Sequence, residues 1–211
     1  MLKKLLRSLF TGLALTAAVA TAPVHAQEAD AQTTVKTAVD DVLTTIKGDP
    51  DLRGGNMAKV FQLVDQKIVP RADFKRTTQI AMGRFWNQAS PEQQQQIQDG
   101  FKTLLIRTYA GALSNVKNQT VTYKPFRADP ADTDVVVRST VNNNGEPVAL
   151  DYRMEKTANG WKVYDINISG LWLSETYKNQ FADVISKKGG VAGLVQFLDE
   201  RNAQLAKGPA K

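Results

Sequence analysis

The apolar positions of this chain repeat at helical spacing, switch to strict alternation after about residue 120, and return to helical spacing near residue 173. In the first part, Val35, Val39, Val42, Leu43 and Ile46 mark one face of a helix that Gly48-Asp49-Pro50 stops. A second stripe, Met57, Val60, Phe61, Val64 and Ile68, ends near Pro70, and a short helical stretch from Asp73 to Met82 leads into Gly83-Arg84-Phe85-Trp86. The clearest helix start follows. Ser90 is a good N-cap, Pro91 suits the first helical position because its missing N–H would be unpaired there, and Gln93 completes the capping-box spacing. Ile97, Phe101, Leu104, Leu105, Thr108, Tyr109, Ala112 and Leu113 lie along one face of this helix, which is predicted to run to about Val116.

Alternation then takes over. Val121 and Tyr123 alternate with polar residues before Pro125, which predicts an edge strand or a bulge. Val135, Val137 and Val141 share one face of a second strand; Val148, Leu150, Tyr152 and Met154 share one face of a third, opposite Asp151, Arg153 and Glu155. Asn142-Asn143-Asn144-Gly145 and Ala158-Asn159-Gly160 supply hairpin turns, since Asn and Gly tolerate positive φ. A fourth strand is predicted over residues 161–168. One wet and one covered face is how an antiparallel sheet behaves when helices pack on a single side.

Helical spacing resumes at Leu173, Tyr177, Phe181, Val184 and Ile185; Gly189-Gly190 interrupts it, and Val191, Leu194, Val195 and Leu198 form a last short helix. Helices, a meander of about four strands, then helices again predict an α+β fold rather than a parallel βαβ sheet.

The amino terminus reads differently. Lys3, Lys4 and Arg7 precede a carboxylate-free apolar run from Leu9 to Ala20, and Val24-His25-Ala26 is a small-residue cleavage site, the pattern of an export signal cut after Ala26. The run is shorter than the roughly 20 residues of a membrane span. Residues 1–26 are thus predicted to be a cleaved signal and residues 27–211 a single domain. The signal takes three basic residues with it, so the net charge falls from +6 to +3, with 24 lysines and arginines against 21 carboxylates. That modest balance, with no basic stripe interleaved with aromatics, argues against a nucleic-acid partner.

Cysteine is absent and the only histidine, His25, lies in the signal. That removes Ser–His pairs, thiolates and ordinary zinc sites, leaving carboxylates and tyrosines for acid–base work. Without a cysteine there is also no lipid attachment point, so the exported chain is expected to be soluble. Asp165 is the best catalytic candidate, because alternation from Trp161 and Val163 points it toward the covered face; the competing reading is a structural carboxylate bonded to backbone N–H or to a cation. Lys187-Lys188-Gly189-Gly190-Val191-Ala192-Gly193 lacks the order of a phosphate loop and reads as a break between helices. Lys67, Arg71, Lys75, Arg76 and Arg84 form a basic group suited to anionic lipid head groups, or an ordinary solvated face interspersed with Asp65 and Asp73.

Two stretches carry a resemblance. Met82-Gly83-Arg84-Phe85-Trp86, then Ala89-Ser90-Pro91-Glu92-Gln93 with Phe101, Leu104, Leu105, Thr108, Tyr109 and Ala110, resembles the central segment of the MlaC family of periplasmic phospholipid-binding, or toluene-tolerance, proteins. Trp161-Lys162-Val163-Tyr164-Asp165-Ile166, Gly170-Leu171-Trp172-Leu173 and Tyr177-Lys178 with Phe181 is similar to its C-terminal signature. Trp172 stands where a small serine is usual, Lys178 where arginine is common, and Ile97 where phenylalanine is expected. Together with the signal and the order of elements, the resemblance covers the mature chain.

The resemblance implies a helical layer packed on one face of a curved antiparallel sheet, enclosing an apolar cavity for acyl chains. It implies a soluble carrier in the periplasm of a Gram-negative bacterium, with phospholipid as cargo and no cofactor or catalysis. Its partners would be an outer-membrane lipoprotein complex and an inner-membrane ABC transporter with its substrate-binding subunit. The candidate lining is Phe61, Met82, Phe101, Leu105 and Tyr109 from helices, Val137, Leu150, Tyr152, Met154 and Val163 from the sheet, and Leu171, Trp172, Tyr177 and Phe181 from the closing segment; each could equally be plain core. The alternatives are an isomerase- or hydratase-like enzyme using Asp165 with Tyr152 or Tyr164, and a periplasmic adaptor without a ligand.

Overall fold

A computed structural model describes residues 30–143 and 145–207. The predicted signal and its cleavage site lie outside the described residues. Helix α1 (Ala31–Gly48) starts where the Asp30 carboxylate accepts the Thr33 N–H, and a short α2 (Pro50–Arg53) follows the Gly48-Asp49-Pro50 stop. Helix α3 (Met57–Leu63) runs on into a π-helical turn (Val64–Ile68) and a 3-10 turn (Val69–Arg71). The second apolar stripe therefore spans three helical geometries rather than one.

Helix α4 (Phe74–Met82) is capped by Asp73 and ends at Gly83, whose φ of +54° favours glycine. After a 3-10 turn (Gly83–Gln88) comes α5 (Pro91–Ser114), the longest helix among the described residues. Both bonds of its capping box are made: Gln93 N–H donates to Ser90 Oγ at 3.2 Å, and Ser90 N–H donates to Gln93 Oε1 at 3.0 Å.

The sheet is open, antiparallel and has five strands in sequence order: β1 (Thr120–Tyr123), β2 (Asp134–Asn143), β3 (Glu146–Thr157), β4 (Gly160–Ile168) and β5 (Leu171–Trp172). The fifth strand is only two residues long, too short for alternation to reveal. Helices α6 (Leu173–Lys187) and α7 (Val191–Ala206) close the chain. They turn at a close approach, since a Cβ on Gly193 would lie 1.7 Å from the Lys188 carbonyl oxygen.

Register places Val137 opposite Tyr152, Ser139 opposite Leu150 and Tyr123 opposite Ser139, so these side chains share the apolar face. Between Arg153 and Met154 the register with β4 shifts: Arg153 faces Asp165, whereas Met154 faces Val163. Tyr164 is the extra residue of a β-bulge. The bulge defeats the alternation argument for Asp165. That side chain is buried, but on the face of Arg153 rather than the face of Val163.

Helices meet the sheet in two ways. The amino-terminal half of α1 lies on the apolar face, where Ala31 and Val35 join Val135, Val137, Tyr152 and Met154. The start of α4 instead docks on the β4 edge, with Asp73 N–H donating to the Val163 carbonyl and Thr77 Oγ1 to that of Tyr164. The polar face is therefore not simply wet: α4 and α6 reach over it through Arg76 and Glu175.

Candidate functional site

Three apolar clusters divide the interior. The first joins α4 through α7 around Phe101, whose ring lies 4.8 Å from Tyr177, 5.0 Å from Phe181 and 5.6 Å from Phe74. Such tilted and edge-on contacts add to the burial of the rings themselves. The second joins the carboxy-terminal half of α1 to α2, α3 and α5 around Ile46, Val60 and Ile106. The third is the apolar face of the sheet under α1. Helix α1 thus spans the second and third clusters, and half-buried side chains such as Val39, Leu43, Phe61, Leu105, Leu150 and Ile166 fringe all three.

Of the residues expected to line a cavity, Met82, Phe101, Tyr177 and Phe181 are buried together in the first cluster with half-buried Leu105 against them. Tyr109 is half-buried near Tyr177, and burial raises both phenols above their ordinary value. Phe61 packs on the second cluster. Val137, Tyr152 and Met154, with Leu150 and Val163, belong to the third. The last two are placed apart from these groups. Leu171 is 67% exposed, and the Trp172 ring lies on the polar face with the Arg153 guanidinium 4.0 Å from its centre. The large ring at position 172 is thus a platform for a cation, not a plug in the apolar interior.

The two stretches that suggested a family meet in space. Phe101 from the first packs on Tyr177 and Phe181 from the second, and Gly83 approaches Lys178 so closely that a Cβ there would lie 3.4 Å from Lys178 Cε. Two surface hollows lie on the helical layer. One of about 330 Å³ is lined by Met82, Gly83, Arg84, Phe85, Lys178 and Ala182, and one of about 490 Å³ lies between α5 and α7.

Asp165 is committed to structure. Its Oδ1 accepts the Ile166 and Ser174 N–H groups, each at 3.0 Å, while Oδ2 accepts the Ser174 hydroxyl at 2.5 Å and Arg153 at 3.2 Å. Most of the basic group is likewise neutralised within the fold. Lys67 and Arg71 both pair with Asp41, and Arg76 pairs with Asp134 and Glu155 while lying 3.7 Å above the Tyr164 ring. Among the described residues, no group of carboxylates is placed to hold a metal ion, and no helix is long and apolar enough to cross a membrane.

Sequence reasoning missed a polar spot within the apolar face of the sheet. Ser139, fully buried, sits in line with Val135, Val137 and Val141, and Tyr123 and Tyr152 share its face. The signal was present: a serine interrupts an otherwise all-valine set of alternate positions.

The model of the MlaC protein family matches residues 36–200. The toluene tolerance protein ttg2D of Pseudomonas putida is 27% identical over 150 residues, 71% of this chain and 70% of that protein. The intermembrane phospholipid transport system binding protein MlaC of Haemophilus influenzae is 25% identical over 132 residues, 60% of this chain and 61% of its own length. A solved phospholipid-binding protein from Ralstonia solanacearum, in complex with a phospholipid, superposes with a TM-score of 0.83 at 90% identity, covering 84% of this chain and 99% of that one.

Proposed function

The chain belongs to the MlaC family, and from that premise we propose that it is a periplasmic phospholipid carrier, soluble after export, that passes lipid between membrane complexes. The observation that carries this reading is the phospholipid held by a structural relative that is 90% identical and almost wholly covered. An overall identity of 90% over 99% of that relative supports the same ligand class for this chain.

The physics of the chain supports the same reading. Each CH₂ removed from water is worth about 0.8 kcal/mol, so a sixteen-carbon acyl chain gains roughly 10 kcal/mol or more from an apolar interior. A carrier needs matched apolar walls and no reactive group. Here those walls are the sheet face under α1 and the aromatic cluster around Phe101, and the candidate lining residues in them are proposed to contact acyl chains. An enzyme would need Asp165 free to exchange protons, whereas its two oxygens already serve four donors. The proposed partners are an outer-membrane lipoprotein complex and an inner-membrane ABC transporter with its substrate-binding subunit.

The test is native mass spectrometry of the mature chain purified without detergent. The expected result is co-purified phospholipid, whose re-addition to stripped protein raises the melting temperature. Protein that stays lipid-free and gains no stability from phospholipid overturns the reading.

A further inference from the structure

The sheet face assigned to acyl chains contains a built polar spot that hydrocarbon cannot satisfy. Tyr152 is 5% exposed and Ser139 fully buried, with Tyr123 beside them on β1. The hydroxyls of Tyr123 and Tyr152 are both buried and find no hydrogen-bond partner in the protein. Ser139 is the polar neighbour of Tyr152 and partly offsets the effect of burial on its phenol, but its own proton goes to the Leu150 carbonyl at 2.6 Å and neither tyrosine hydroxyl makes a well-formed bond to it. Leaving two buried hydroxyls unpaired is costly, and native proteins rarely do so.

We propose that Tyr123 and Tyr152 donate hydrogen bonds to the ester carbonyl oxygens of the bound phospholipid, so that the site reads the ester linkage as well as the acyl chains. The inference rests on the carrier reading above. Three features select this partner. First, burial holds both phenols above their ordinary value, Tyr123 at about 12 with the Asp40 carboxylate contributing, so both remain donors and call for acceptors. Second, within a diacyl phospholipid the group adjoining the hydrocarbon is the ester, whose carbonyl oxygens accept and cannot donate. Third, the spot lies toward the rim: Tyr123 belongs to the edge strand, and the Asp40 near it is exposed on α1. Acyl chains would extend from there along Val137, Met154 and Val163, with the head group outward.

The experiment compares two lipids that differ only at that linkage, dipalmitoyl phosphatidylcholine and its dihexadecyl ether analogue, which lacks both carbonyls. Affinities are measured on delipidated mature protein by extraction from vesicles of each lipid. The parent chain is expected to prefer the ester lipid by about tenfold, the gain two such hydrogen bonds give. In the double variant Tyr123→Phe, Tyr152→Phe the ratio is expected to fall close to one, and each single variant to lie between. Equal affinities in the parent overturn the proposal and assign the hydroxyls to buried water. An ester preference that survives in the double variant overturns it as well. The ratio measured on the parent decides even where a variant folds poorly. Failure of the parent to bind either lipid overturns the carrier reading, and this inference with it.

Discussion

Asp165 on β4 caps the start of α6 by gripping Ser174 twice, accepting its N–H at 3.0 Å and its hydroxyl at 2.5 Å. Helix α6 has no side-chain cap of its own, since its N-cap position is Trp172. The strand therefore supplies what the helix lacks, satisfying an N–H that would otherwise be unpaired where positive partial charge accumulates. Arg153 balances the carboxylate on its other side.

Replacing Asp165 by Asn keeps the shape but removes the charge that Arg153 and the helix start both face. The expected cost is about 3 kcal/mol of stability, the low end for a buried charge pair broken from one side, because Arg153 is partly exposed. Ser174→Ala, which removes only the hydroxyl donor, should cost about 1 kcal/mol. Urea unfolding measures both. Phospholipid binding should persist in each variant; its loss in a fully folded Asp165→Asn protein would place the carboxylate at the ligand instead.

Gly193→Ala should be among the most damaging small changes. The added carbon would lie 1.7 Å from the Lys188 carbonyl oxygen, and that neighbour is backbone, which cannot rotate away as a side-chain tip can. The α6–α7 turn must open to admit it, at about 3 kcal/mol, the upper part of the range for overpacking. Gly111→Ala is the control, since a Cβ there meets nothing within 4 Å and a helix gains from the exchange. Thermal melting of the two variants gives the comparison.

The features legible in the sequence were those decided locally. The capping box at Ser90 and Gln93, the edge position of β1 ahead of Pro125 and the hairpin at Asn142 all depend on residues a few positions apart. What escaped was set by distant partners. The π-helical turn at Val64–Ile68 looks like ordinary helix in the apolar pattern, but it carries Lys67 onto Asp41 of α1, 26 positions away. The bulge at Tyr164 is similar: nothing in residues 161–168 announces an extra residue, yet it alone lets Tyr164 reach Asp134 while Asp165 reaches Arg153. Within the candidate site, residue type was legible and grouping was not. Phe101, Tyr177 and Phe181 meet ring to ring, whereas Trp172 turns to Arg153 because β5 places it over the polar face.

Tyr164 makes stability fall at alkaline pH. Burial, reinforced by its hydrogen bond to Asp134, pushes the phenol up to about 12, although the Arg76 and Arg153 guanidiniums pull the other way. An acid raised in the folded state stays protonated there after its unfolded counterpart has ionised. Its contribution is therefore complete below the ordinary value of 10 and is lost between about 10 and 12. Stability measured by denaturant across that window should decline, and Tyr164→Phe should decline less steeply. Tyrosinate absorbance in the native protein should show the corresponding late titration.

Asp41 acts at the other end of the scale and bears on how α1 is held. Its hydrogen bond from Lys67, with Arg71 adding to the attraction, keeps the carboxyl below its ordinary value against the opposing effect of desolvation. A depressed carboxylate stabilises the folded chain above the unfolded value of 3.8, and that contribution is lost as pH falls through the lower folded value. The helix it anchors lies on the sheet face at its start and on the α3–α5 cluster at its end. Under the proposed carrier function, cargo held against the sheet would leave past the edge of this helix. Asp41→Asn removes the anchor at neutral pH, and hydrogen exchange in α1 should quicken while that in α5, which has no part in the pair, stays slow. Lipid transfer from the loaded variant to acceptor vesicles should quicken in the same proportion. Faster exchange in α1 with an unchanged transfer rate would mean that cargo leaves by another side of the molecule.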